Sequence, residues 1–135
     1  MDARSRRNQM LVLVGGDILA FVLLTLVGFA THSELGTAGT RMLTTFLPVT
    51  TAWFLVAPFL GAYDLERMQQ PSQLWRPFWS MVLAGPLAAW MRGAWLNAAI
   101  LPLFVLVLSG VNALGILAWR ALYTLVISRK MIQNG

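Results

Sequence analysis

The sequence predicts an all-α integral membrane protein, a four-transmembrane-helix bundle with both termini on the cytoplasmic side. Three observations carry that prediction. The 135 residues are 58% hydrophobic and only 11% charged, whereas a soluble domain averages about 25% charged, so water cannot be the main solvent. Four apolar stretches meet the length of about 20 residues that spans the hydrocarbon core. The Lys and Arg residues gather at one set of helix ends, as a fixed membrane orientation demands.

The first predicted helix covers residues 10–30. Arg4, Arg6 and Arg7 precede it and Gly28-Phe29-Ala30 closes it, which resembles a secretory signal. It is longer than the usual apolar core of about 7 to 15 residues, and it carries Asp17. It reads as a retained helix. The second covers 42–63 and contains Pro48 and Pro58; interior prolines are tolerated in membrane bundles when neighbours satisfy the freed carbonyls. The third covers 77–96, with Pro77 in its first turn and Pro86 inside, and its charge-free part ends at Met91. It spans fully only if Arg92 reaches back to the interface. The fourth covers 102–127 and opens on Pro102, at a position where a missing N–H costs nothing. The four belong to a single transmembrane domain over residues 1–135, without an internal repeat or soluble module.

With the N-terminus cytoplasmic, the inner side holds Arg4, Arg6, Arg7, Arg67, Arg76, Arg120, Arg129 and Lys130, and the outer side holds Arg41 and Arg92. Tyr63, Trp75, Trp79, Trp119 and Tyr123 fall near the inner interface, and Trp90 and Trp95 near the outer, as an aromatic belt. Lipid tails give helices no hydrophobic reason to associate, so close approach through small residues is the expected device. Gly16 and Ala20, Ala57 and Gly61, Gly85 and Ala89, and Ser109 and Ala113 supply it on successive helices.

Asp17 and Arg120 are the main site candidates. Each lies about 10 Å inside the inner end of its helix at 1.5 Å per residue, and a charge at such depth is usually paired, turned inward or used. An intramembrane ion pair joining the first and fourth helices is expected. Its plain role is to lock the bundle; its functional role would be a proton or cation site with Arg120 as counter-ion. On the outer side His32, Glu34, Arg41 and Arg92 form a polar cluster, read as solvated or interfacial. His32 is the one imidazole able to ligate a haem or chlorin metal, but it lies at or beyond the membrane edge. Trp53 and the methionines read as lipid-facing or packed.

There is no Cys and one His, which excludes thiolate, iron–sulfur and His-cluster metal sites. The net charge of +5 is not gathered on a polar face, so nucleic acid is not an expected partner. No catalytic triad, paired inward carboxylates, phosphate loop or zinc helix occurs. Gly15-Gly16 lies inside an apolar helix and is not a nucleotide loop. Neither an enzyme activity nor a cofactor or metal is predicted, although a bound lipid or pigment is compatible with the sequence.

Gly16-Asp17, Thr31-His32-Ser33, a second helix with Pro48, Ala88-Ala89-Trp90-Met91-Arg92-Gly93 and Ala118-Trp119-Arg120-Ala121-Leu122-Tyr123 together resemble the domain-of-unknown-function family numbered 3054. The similarity spans nearly the whole chain. It implies a four-helix membrane protein of prokaryotes in which Asp17, His32, Arg92 and Arg120 hold family-typical positions, and it supplies no activity, substrate or cofactor.

The functional expectation is a non-catalytic accessory or scaffold subunit in the inner (cytoplasmic) membrane, with the bilayer and other membrane subunits as partners. The polar stock inside the helices is small and the loops are short. The alternative is a small homo-oligomeric carrier coupled to protons or cations through Asp17.

Overall fold

The computed structural model describes residues 3–31 and 39–134, with side chains for 3–28, 42–127 and 129. It is all-helical. Four α-helices, α1 (Ala3–Thr31), α2 (Gly39–Val56), α3 (Trp75–Leu96) and α4 (Pro102–Asn134), follow one another along the chain. Three segments, Ala3–Gly28, Met42–Leu60 and Pro102–Ile127, are long and apolar enough to cross a membrane.

The helix expected over 77–96 forms, as α3, but does not join those three. It carries Arg76 and Arg92 and is diluted by Gly, Pro, Ser and Trp. Its role in the bundle explains that composition. Pro77, Ser80, Met81, Ala84, Gly85, Ala88 and Ala89 are buried, a run of mostly small residues at spacings of three and four that makes one narrow face. α3 therefore packs closely on both α2 and α4, while α1 packs on α4 and α2. Gly85 lies directly on Ser109, where even a Cβ on the glycine would collide with the Ser109 side chain and backbone. α1 and α3 occupy opposite corners of the bundle.

Helix ends differ from the expected ones for identifiable reasons. α1 and α4 run beyond the apolar stretches because their polar ends stay helical, and Arg6 of α1 reaches Glu66 at 3.3 Å. α2 is shorter than expected. Pro58 cannot donate to the α-helical ladder, so the helix stops at Val56 and a 3-10 turn, Ala57–Leu60, replaces its last predicted turns. Gly61 then takes a left-handed conformation at φ 77° and closes that turn through its N–H. Gly61 is thus a chain-reversal residue, seated against the Arg76 side chain of α3. Pro48 and Pro86 do lie inside their helices.

The distribution of exposure is inverted relative to a soluble protein. Leu103, Leu106 and Phe59 are 71%, 70% and 89% exposed, whereas Asp17 and Arg120 are 0% and 1% exposed. An apolar exterior around a charged interior is stable only in an apolar solvent. The three apolar helices are consistent with a membrane protein surrounded by lipid.

Candidate functional site: the Asp17–Arg120 centre

The break in α2 sets up the site. Where the chain leaves its α-helical ladder, carbonyls are freed that a membrane offers no water to satisfy. Two arginines take two of them. Arg76 donates from Nη1 to the Leu60 carbonyl at 2.9 Å while its Nε bonds Gln73 at 2.8 Å. Arg120 donates from Nη1 to the Ala62 carbonyl at 2.6 Å.

The rest of the Arg120 guanidinium faces Asp17. Its Nε donates to Oδ1 at 2.9 Å and its Nη2 to Oδ2 at 2.7 Å, the two-pronged geometry that matches a planar guanidinium to a planar carboxylate. Three neutral donors complete the carboxylate. Trp119 Nε1 donates to Oδ1 at 2.9 Å. Tyr63 donates its hydroxyl to Oδ2 in a short hydrogen bond. Trp53 Nε1 is shared between Oδ2 at 3.2 Å and the Tyr63 oxygen at 2.7 Å, so Trp53 supports the Tyr63 bond as well as Asp17.

Five donor contacts from α1's neighbours thus converge on one buried carboxylate. Arg120 also lies over the Tyr63 ring, 4.9 Å from its centroid, and 5.8 Å from that of Trp53, where the negative ring faces help replace lost hydration. Phe21 meets Trp53 edge-on at 5.7 Å and closes the apolar side. A ring of Leu13, Met68 and Tyr123 forms a second small core below, held by Thr124, whose hydroxyl donates to the Met68 carbonyl at 3.0 Å.

The structure brings Asp17 and Arg120 together. It also gathers three residues that the sequence does not assign to the site. Trp53, expected to be lipid-facing or packed, is packed and fully buried, and what the sequence does not indicate is its bond to Asp17. Tyr63 and Trp119, assigned to the aromatic belt, turn their polar atoms inward to the carboxylate. A signal for Trp53 was present: it sits ten or more residues from either predicted end of its helix, and an indole N–H at such depth requires a partner.

The outer cluster stands differently. His32 and Glu34 fall outside the described residues, as does the side chain of Arg41. Arg92 is described, and its guanidinium lies over the Phe104 ring at 5.0 Å, fastening α3 to α4. Among the described residues no group of three His, Cys, Asp or Glu could hold a metal ion.

Residues 14–123 match the model of the family described as "Protein of unknown function (DUF3054)". The chain belongs to that family. The matched segment contains Asp17, Trp53, Tyr63, Trp119 and Arg120, so the centre lies wholly within the family's domain. No curated protein and no solved structure matches the chain significantly.

Proposed function

We propose that this DUF3054 protein is a non-catalytic structural subunit of a prokaryotic cytoplasmic membrane, crossing it four times with both termini inside and packing within a larger membrane assembly. In this reading α3 is the fourth span, sheltered by α2 and α4. The observation that supports a structural role is the saturation of Asp17. A working proton or cation site must exchange its ligand, and this carboxylate has a donor on every side. A proton on Oδ1 would face two N–H donors, Trp119 and Arg120, and nothing that accepts it; one on Oδ2 would require Tyr63 to give up its donated bond and accept instead, with Arg120 and Trp53 still donating there.

The orientation rests on the distribution of basic residues. Arg4, Arg6, Arg7, Arg67, Arg76 and Arg129 share one end of the bundle with the 64–74 link, which the Arg6–Glu66 and Thr124–Met68 contacts tie to α1 and α4. Reporter fusions at the two termini test it, and an external C-terminus would overturn it.

Two experiments test the role. Native mass measurement after purification in mild detergent is expected to show foreign subunits bound to the chain. Reconstitution alone in liposomes under a pH gradient is expected to give no proton or cation flux above empty vesicles. Flux that disappears in Asp17→Asn and persists in Arg67→Gln would replace the structural reading with the carrier.

A further inference from the structure

We propose that the groove between α1 and α4 holds one acyl chain of an anionic phospholipid, with the lipid phosphate taken by Arg4 and Arg7. The proposal rests on the membrane setting above and is independent of the scaffold role. The groove has a volume of about 410 Å³ and is lined by residues that include Leu11, Val12, Gly15, Leu19, Leu23 and Trp119. Its one hydrogen-bonding side-chain group, the Trp119 indole N–H, is turned away to Asp17. The wall is therefore purely apolar toward an occupant.

Shape narrows the occupant. From Leu11 to Leu23 the groove runs about 18 Å along the helix axis. The groove is long, shallow and open along one side, a shape that takes a hydrocarbon chain laid along it and cannot enclose a helix about 10 Å across. A transmembrane helix of a partner could lie over the groove but not fill it.

Charge narrows it further. Arg7 lies one turn and Arg4 two turns below Leu11 on α1, and both are exposed. Arg6, on another face of the helix, is the one that pairs with Glu66. Asp17 is the only acid along α1 and α4 has none, while exposed Arg129 adds positive charge at the adjacent end of α4. An apolar slot that opens on exposed arginines at a membrane surface is complementary to an anionic headgroup with its chain running inward. A zwitterionic lipid would fit the slot and gain little from the arginines.

The structure also supplies a clean probe. A Cβ on Gly15, which lines the groove, meets nothing within 4 Å, so a substitution there starts in open space. The full chain, purified in mild detergent and supplemented with phosphatidylglycerol or phosphatidylcholine of identical acyl chains, is examined by native mass spectrometry. The expected result is one retained phosphatidylglycerol, held roughly tenfold better than phosphatidylcholine. Gly15→Leu should abolish retention of both lipids with no loss of thermal stability. The double variant Arg4→Gln, Arg7→Gln should keep the chain site but lose the preference for phosphatidylglycerol. Equal retention of the two lipids by the wild type would overturn the proposal, as would phosphatidylglycerol surviving in Gly15→Leu. A dimer that Gly15→Leu dissociates would assign the groove to a second copy. Foreign subunits register at separate masses, so the lipid result and the scaffold reading stand or fall apart.

Discussion

Asp17→Asn is the most direct perturbation of the buried centre. Asparagine is nearly the same size, so packing is retained and the change is electrical and directional. Its carbonyl can stand in for Oδ1 and keep the Trp119 and Arg120 Nε bonds. Its NH₂ then replaces Oδ2, where Arg120 Nη2, Tyr63 and Trp53 all donate. Tyr63 can rotate its hydroxyl and accept; Arg120 has no acceptor to offer. Three weakened bonds at a membrane average of about 0.6 kcal/mol give a floor of about 2 kcal/mol. A buried guanidinium without its counter-ion raises the cost toward about 3 to 5 kcal/mol. Reversible unfolding of the purified protein in detergent micelles measures the difference, with Asp64→Asn as the exposed control, since Asp64 and Arg67 pair at 3.4 Å on the surface and such pairs are worth about 1 kcal/mol or less. The charge-swapped variant Asp17→Arg, Arg120→Asp should recover little, because Trp119, Tyr63 and Trp53 would still point donors at the first position. A loss under about 0.5 kcal/mol for Asp17→Asn, or full rescue by the swap, would refute the reasoning that these donors fix the orientation of the pair.

Two further predictions use neighbouring positions with opposite environments. Gly16→Ala should destabilise by about 1 to 3 kcal/mol because its Cβ would collide with the Trp119 ring, whereas Gly15→Ala meets open space and should stabilise by about 0.5 to 1 kcal/mol through helix propensity; unfolding midpoints of the pair decide it, and equal effects would contradict the packing. Tyr123→Phe should be neutral or slightly stabilising, since the buried Tyr123 hydroxyl has no hydrogen-bond partner among the described residues and its removal relieves a desolvation cost of about 1 to 3 kcal/mol; a loss above about 1 kcal/mol would show a partner for the hydroxyl.

How much of this was legible in the sequence depends on the kind of information. The all-helical class and its apolar stretches follow from composition and run length. Asp17 and Arg120 could be picked out because a charge in an apolar run is conspicuous on its own. Trp53, Tyr63 and Trp119 could not be placed in the same way. Aromatic side chains with a polar tip are equally at home in a lipid interface and a buried network, and only the rotation of each helix about its axis chooses between them. That rotation follows from packing, here from the small face of α3 and the contact of Gly16 with Trp119. The end of α2 is illegible for another reason: Pro58 alone is compatible with a kink in a continuing helix, but the Gly61 that follows provides a left-handed exit, and the two together end the helix.

That exit and the buried pair form one structural unit. Arg120 has three nitrogens, and Asp17 satisfies only Nε and Nη2; Nη1 depends on the Ala62 carbonyl. Had α2 continued as a helix as far as Glu66, the Ala62 carbonyl would have accepted the Glu66 N–H of the helical ladder, and the third nitrogen would have been left bare at a cost of several kcal/mol. The Pro58–Gly61 turn thus aims the Ala62 carbonyl at Arg120, and the two sites should be energetically coupled. Gly61→Ala forces a side chain into a positive-φ position and toward the Arg76 guanidinium, with an expected cost of about 1 to 3 kcal/mol, part of it through a displaced Ala62 carbonyl. In an Arg120→Gln background that carbonyl no longer receives Nη1, so the same substitution should cost less. A double-mutant cycle should give a coupling of about 0.5 kcal/mol or more between Gly61 and Arg120. Additivity within about 0.3 kcal/mol would mean that the turn and the ion pair are separate features, and that the broken end of α2 serves only to reverse the chain.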